Sequence, residues 1–189
     1  MSFNMSRSPT RPSTTRIFEK VVSGGQTGVD RAALDVAMEL GLPVGGWCPK
    51  GRKAEDGTLP ARYPLKETPS EDYAQRTTWN VRDSDGTLIL TRGAPTGGTA
   101  QTLEDAARLK KPCLVVDLMR PHHVSTVLTW ARAHRIRILN VAGPRESKCP
   151  GIYANASRFL RQLLLVDAEK VRRPSTSSQG RGWGGARKG

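Results

Sequence analysis

Acidic side chains are scarce in this chain. Its 17 Asp and Glu face 30 Lys and Arg, for a formal net charge of +13. Aromatic residues make up only 5% of it, and there are three cysteines, Cys48, Cys113 and Cys149. An odd number with no C-x-x-C spacing argues against a disulfide framework and a structural zinc site, and fits a reducing compartment. No run approaches the roughly 18 consecutive apolar residues of a membrane span, and no apolar segment near the start suits a secretory signal. The cytoplasm is therefore the expected location, with no membrane partner, although an Arg- and Ser-rich, acid-poor start also suits a transit peptide.

The surplus positive charge gathers at the ends. Residues 1–16 hold Arg7, Arg11 and Arg16 and no acid, and residues 167–189 hold six basic side chains against Asp167 and Glu169. Both stretches are rich in Ser, Pro and Gly without apolar periodicity, which reads as disordered basic tails. Such tails could touch nucleic-acid phosphates. A solvated, solubilising role is the favoured reading. The length suits one core with tails, so residues 17–166 are expected to form a single ligand-binding domain.

Inside that domain strand-like and helix-like segments alternate. Strands are expected at residues 18–22, 43–47, 87–91, 113–117 and 136–141. Helices are expected at residues 30–40, 70–82, 99–110, about 124–131 and 150–165. Ser70 would cap the second helix, and Leu103, Ala106 and Ala107 would face inward on the third. Residues 49–69 form a long loop, which in a compact domain is usually functional. Repeated β-α alternation with short connections predicts a Rossmann-like three-layer α/β/α sandwich with a mostly parallel sheet.

Two glycine-rich turns stand between a strand and a helix. The first is Ser23-Gly24-Gly25-Gln26-Thr27-Gly28, leading to Asp30, and the second is Ala94-Pro95-Thr96-Gly97-Gly98-Thr99. A strand that ends in glycines and opens a helix leaves backbone N–H groups and a positive helix end facing one spot, which suits phosphate. Both turns would open at the carboxyl edge of one parallel sheet, where ligands of such sheets sit. The first is neither G-x-G-x-x-G nor a P-loop. Thr27 with Asp30 three residues on is similar to a capping box. Asp30 either accepts a ribose hydroxyl or only caps the helix.

Further candidates surround these turns. Lys50 and Arg52, with Lys53 and Trp47, could clamp an anion from above; a solvated basic loop is equally expected. Asn140 and Glu146 lie where the last strand ends and could read a base, a sugar or a pterin. Asp83 and Asp85 are more simply a turn than a metal pair. His122 and His123 are adjacent on a helix start and point apart, a poor metal pair. No metal site is expected.

With these residues assembled, the chain resembles the putative molybdenum carrier family, a Rossmann-like branch related to lysine decarboxylase-like (LOG) phosphoribohydrolases and DprA-type proteins. The matching segments are residues 23–35, 45–57, 73–90, 97–102 and 139–153. The resemblance implies molybdenum cofactor, a phosphorylated pterin, or a nucleotide as ligand. The phosphoribohydrolase relatives carry PGGxGTxxE; here Gly98-Thr99 match its GT, but Thr102 stands where the Glu should be, and Glu104 falls on another helix face. Hydrolysis by that route lacks its positioned carboxylate.

The sequence thus points to a small phosphorylated ligand cradled by Gly24, Gly25, Gln26, Thr27, Gly28, Gly97, Gly98 and Thr99. Lys50 and Arg52 would close over it, and Asp30, Asn140 and Glu146 would orient it. Two rivals remain open at this stage. One is a nucleotide-processing hydrolase using Asp30 or Glu104; the other is a DprA-like single-stranded DNA binder. A homo-oligomer through exposed helices is compatible with any of the three.

Overall fold

The computed structural model describes residues 16–121 and 124–172, with side chains as far as residue 168. His122 and His123 and most of both basic tails lie outside the described residues. Five strands make the central sheet: β1 (Lys20–Val22), β2 (Val44–Gly45), β7 (Gly86–Thr91), β8 (Cys113–Asp117) and β9 (Ile138–Ala142), in the order β2-β1-β9-β7-β8. Every pairing among them is parallel. Strand β7 is buried along its whole length, with Leu88, Ile89 and Leu90 fully inaccessible. A continuous apolar run of that kind marks a parallel strand covered on both faces.

The helices are α1 (Val29–Glu39), α2 (Tyr73–Arg82), α3 (Gly97–Arg108), α4 (Val124–Ala133) and α5 (Ile152–Arg172). Helices α1 and α4 pack against α5, while α2 packs against α3. Strand order explains the division. The β1-to-β2 crossover runs one way along the sheet and the β7-to-β8 crossover the other, so right-handed connections put α1 and α3 on opposite faces. The same reversal marks the point where a parallel sheet opens a crevice at its carboxyl edge.

Several local expectations need correction. Helix α2 begins at Tyr73, because Asp72 rather than Ser70 accepts the capping bond, from the Ala74 N–H at 2.9 Å. On α3 the buried face carries Thr102, Asp105 and Ala106, whereas Leu103 is exposed. A polar inward face defeats a reading that follows apolar residues alone. Helix α5 runs on to Arg172, and its Asp167 is buried where it accepts the Ile17 and Phe18 N–H groups at 2.9 and 3.2 Å. The Asp83/Asp85 turn is a strand staple: Asp85 Oδ2 accepts the Arg137 and Ile138 N–H groups at 2.9 and 2.7 Å.

The expected long loop is part of a packed annex. It pairs its β6 (Lys66–Glu67) with β3 (Trp47–Cys48), just ahead of the loop, and folds a hairpin of β4 (Lys53–Ala54) and β5 (Gly57–Thr58). Leu59, Tyr63 and Leu65 from the loop close over Leu34 of α1 and Cys48, forming a second apolar cluster beside the main core. Asn80 pins the annex from α2: its Oδ1 accepts the Trp47 N–H at 2.8 Å and its Nδ2 donates to the Trp47 carbonyl at 2.9 Å.

Candidate functional site

Asp30 sits in the first turn of α1 and is only 3% exposed. Its Oδ2 accepts Arg76 Nη1 from α2 at 3.0 Å and the Gln26 N–H at 3.4 Å. Burial pushes the Asp30 carboxyl up, and the Arg76 guanidinium with the Gln26 N–H pulls it only part of the way back. Gly24 makes this pairing feasible. A Cβ there would lie 1.7 Å from Arg76 Nη1, so any larger residue would collide with the guanidinium.

Above this pair a cleft of about 520 Å³ opens at the carboxyl edge of the sheet. Gln26 and Asp30 line it from the first turn, and Thr96, Gly97, Gly98 and Thr99 from the second. Arg145 and Lys148 enter from the loop after β9, and Tyr73, Arg76 and Thr77 from α2. Residues of both turns therefore line one space, but Gly24, Gly25 and Gly28 of the first turn are not among them.

They contribute differently. At α3 the Thr96 cap makes no side-chain capping bond, the Thr99 N–H turns back to the Thr96 carbonyl, and the N–H groups of Gly97 and Gly98 meet no acceptor among the described residues. That end of α3 keeps orphan donors and the positive pole of the helix. A Cβ at Gly98 would touch nothing within 4 Å, so the backbone there faces open space. At α1 the donors are largely taken. The Val29 N–H meets the Pro144 carbonyl at 3.2 Å and the Thr27 N–H meets Gln26 Oε1 at 3.0 Å. The first turn thus offers the cleft side chains rather than backbone amides.

Arg76, Arg145 and Lys148 bring positive charge to the same cleft. The Arg145 and Arg76 guanidiniums lie 5.4 and 5.9 Å from the Tyr73 ring, and Lys148 is exposed at the rim. Gln26 is a special case. Its Oε1 accepts the Thr27 and Glu55 N–H groups at 3.0 and 2.9 Å, while its buried Nε2 has no partner, and neither has the buried Nε of Arg76.

Other residues flagged by the sequence lie outside this cleft, and each has a physical reason. Gly25 faces the annex, where a Cβ would meet Leu65 and Leu59 at 2.7 and 2.8 Å. Gly28 allows close approach of the loop after β9, since a Cβ would come within 2.4 Å of the Pro144 carbonyl oxygen. Thr27 does not pair with Asp30 as a capping box would; its hydroxyl donates to Glu55 and accepts the Glu146 N–H. Glu146 itself caps α5 by accepting the Gly151 and Tyr153 N–H groups. Asn140 is buried within β9 and donates to Thr87 Oγ1 at 3.2 Å.

The expected clamp also resolves differently. Arg52 donates to the carbonyls of Leu59, Pro60, Tyr63 and Leu65, all between 2.9 and 3.1 Å, and so holds the annex together. Lys50 is exposed and does not line the cleft. Glu104 is exposed on the outer face of α3, whereas Thr102 lines the cleft and donates to the Gly98 carbonyl at 2.9 Å.

What the sequence did not single out as ligand-facing was Tyr73, Arg76, Arg145 and Lys148. Tyr73, Arg76 and Thr77 fall at i, i+3 and i+4 and so share a helix face. That spacing was a usable signal once the cap at Asp72 was recognised. Other hollows lie elsewhere on the described residues. One of about 310 Å³ lies beyond Glu55 and is lined by Thr27, Gly28, Asp35 and Glu146. A larger one of about 570 Å³ flanks the edge strand β8, lined by Leu114, Val116 and Val127 together with Asp117 and Arg120. The glycine turn after β1 reaches only the first of these two. Volume alone therefore does not single out the site; the orphan donors and cations of the 520 Å³ cleft do.

An all-parallel sheet with a ligand-sized crevice at its strand-order reversal defines a Rossmann-like α/β protein. More narrowly, the chain belongs to the circularly permutated YpsA SLOG family, whose model matches residues 21–164. It is also similar to a crystal structure of a putative molybdenum carrier protein from Syntrophus aciditrophicus SB. Their sequences are 48% identical, the match covers 79% of this chain and 96% of that one, and the TM-score is 0.76. No protein with a curated description matches. Among the described residues no helix is long and apolar enough to cross a membrane.

Proposed function

We propose that this chain is a molybdenum carrier-like ligand-binding protein that holds a phosphorylated nucleotide or pterin in the 520 Å³ cleft. The observation that carries the reading is the amino end of α3, where Gly97, Gly98 and Thr99 line a crevice shared with Arg145 and Lys148 and the Gly97 and Gly98 N–H groups meet no acceptor among the described residues. Orphan helix donors with nearby cations suit an oxyanion. The cleft volume lies in the range of small-ligand sites. Similarity to a protein described as a molybdenum carrier supports the choice of cargo.

Among the described residues no three His, Cys, Asp or Glu side chains cluster as metal ligands. A molybdenum-bearing cargo would be gripped through its phosphate and ring atoms. Retention is favoured over hydrolysis because Thr102 lines the cleft in place of a carboxylate, and the nearby Asp30 is committed to Arg76. The test is gentle purification followed by native mass spectrometry, metal analysis and calorimetric titration with inorganic phosphate, molybdate and ribose 5-phosphate. Retention of an unaltered phosphorylated compound, with weaker anion binding in Lys148→Ala, is expected. Release of free base from a nucleotide, or no anion binding at all, overturns the reading.

A further inference from the structure

Neither Trp47 nor Trp79 packs into either apolar cluster. Both are half-buried, and they meet edge to face, with ring centres 4.7 Å apart and planes at 82°. Trp47 is held firmly. Asn80 binds its backbone N–H and carbonyl, Asp83 Oδ2 accepts its indole Nε1–H at 2.7 Å, and Trp79 abuts its ring. An aromatic ring fixed in this way loses little freedom when another ring stacks on it.

Trp47 lines a hollow of about 150 Å³ together with Lys20, Gly45, Lys66 and Asp83. Lys20 lies across Gly45, where a Cβ would come within 2.9 Å of its Cε and Nζ. Lys66 Nζ sits 5.6 Å from the Trp47 ring centre; the residue is exposed, so its flexible stem can move aside for a stacked ring. Neither ammonium has a carboxylate partner among the described residues, unlike Lys53, which pairs with Glu71. The charge of Asp83 is already met, because Arg82 grips both its oxygens at 2.7 and 2.9 Å.

The hollow is smaller than the roughly 300–1,000 Å³ of sites that enclose a whole small ligand. It suits one ring of a longer molecule whose remainder lies along the surface. A rigid indole beside unpaired cations is what a single strand needs, a face for one base and charge for the flanking phosphates. We propose that this hollow is a second binding site, for single-stranded nucleic acid. One unpaired base stacks on Trp47, and Lys20 and Lys66 take the adjoining phosphates. Residues 1–16, which lead into β1 ahead of Lys20, carry Arg7, Arg11 and Arg16 and no acid, adding charge of the same sign. The site is separate from the 520 Å³ cleft, with which its lining shares no residue.

Short oligothymidylate and oligouridylate strands, titrated into the full chain across a range of salt, test the site. Binding is expected to quench tryptophan fluorescence and to weaken steeply with salt. Lys20→Ala and Lys66→Ala should each reduce the slope of log affinity against log salt by about 0.7. Trp47→Leu should weaken binding about tenfold or more and remove most of the quench. The two lysine variants keep the test alive if that indole proves necessary for folding. Ribose 5-phosphate, which addresses the cleft, should not compete. Absence of binding by both strands overturns the proposal. So does binding whose strength and salt slope survive all three substitutions, which would assign it to the basic ends of the chain. Binding to phosphatidylserine vesicles in place of the strands, lost in the lysine variants, would make this surface a lipid contact instead.

Discussion

Arg76 and Asp30 are 46 residues apart in the chain, yet Arg76 Nη1 lies 3.0 Å from Asp30 Oδ2, joining α2 to α1 beneath the cleft. Side-chain exposures of 13% and 4% leave little water to screen the pair. Removing one partner of such a pair strands the other charge in the interior. Arg76→Ala is therefore expected to destabilise the fold by about 3–5 kcal/mol. Adding Asp30→Asn to that variant should restore a good part of the loss, because the stranded carboxylate goes with it. Urea unfolding of the two single variants and the double variant gives the coupling. Strictly additive losses would show that the pair is not coupled.

Glu55 ties the β4–β5 hairpin to the rim of the cleft. Its carboxylate accepts from the Ser147 N–H and hydroxyl and from the Thr27 hydroxyl, and Arg145 Nη1 lies 3.8 Å away. Burial alone would raise this carboxyl. The Ser147 and Thr27 hydrogen bonds and the Arg145 charge outweigh that and hold it below its ordinary 4.5. A carboxyl lowered on folding contributes stability above its unfolded value, and the contribution is lost as pH falls through the folded one. The stability gap between wild type and Glu55→Gln should thus be full above pH 4.5 and close below it. Hydrogen exchange across residues 53–58 should quicken in the variant at neutral pH. A gap that is constant down to acid pH would remove Glu55 from that role.

How much of this was readable from the chain depends on the kind of signal. Strand β7 and the turn before α3 were legible because a buried parallel strand and a glycine helix start each leave a local pattern. That both turns follow strands at one carboxyl edge was legible too, but that the first turn's own glycines stay out of the cleft was not. Partner choice over long sequence separations was not legible. Nothing local in Ser23-Gly24-Gly25 reveals that Gly24 makes room for a guanidinium from α2, or that Asn140 turns to Thr87 inside the sheet. Glu146 looked like a reader of ligand and is an α5 cap, a role that a carboxylate five residues ahead of Gly151 can take only once the loop folds back.

Arg52 is the sharpest case of that limit, because a basic loop residue beside Lys50 and Lys53 invites an anion. Its guanidinium instead closes four annex carbonyls. Arg52→Ala is expected to cost on the order of 2 kcal/mol, the scale for losing charge-assisted hydrogen bonds to partly buried acceptors. Arg52→Lys should recover only a fraction, since one ammonium cannot reach a spread of carbonyls that suits a planar fork. Thermal unfolding would rank the three chains. Anion affinity should fall far less in Arg52→Lys than in Lys148→Ala, and the reverse order would return Arg52 to the ligand site.

Cys113 opens the edge strand β8, and burial pushes its thiol from 9.0 up to about 11. Only the thiolate reacts with iodoacetamide, and at pH 8 it would be about one part in a thousand. Alkylation of Cys113 should therefore run about a hundredfold slower than in the urea-unfolded chain and rise about tenfold per pH unit between 7 and 9.5. Peptide mapping by mass spectrometry follows each cysteine separately. If Cys113 in the folded chain reacts as fast as in urea, the start of β8 opens to solvent far more often than its packing allows, and the edge of the sheet frays from that end.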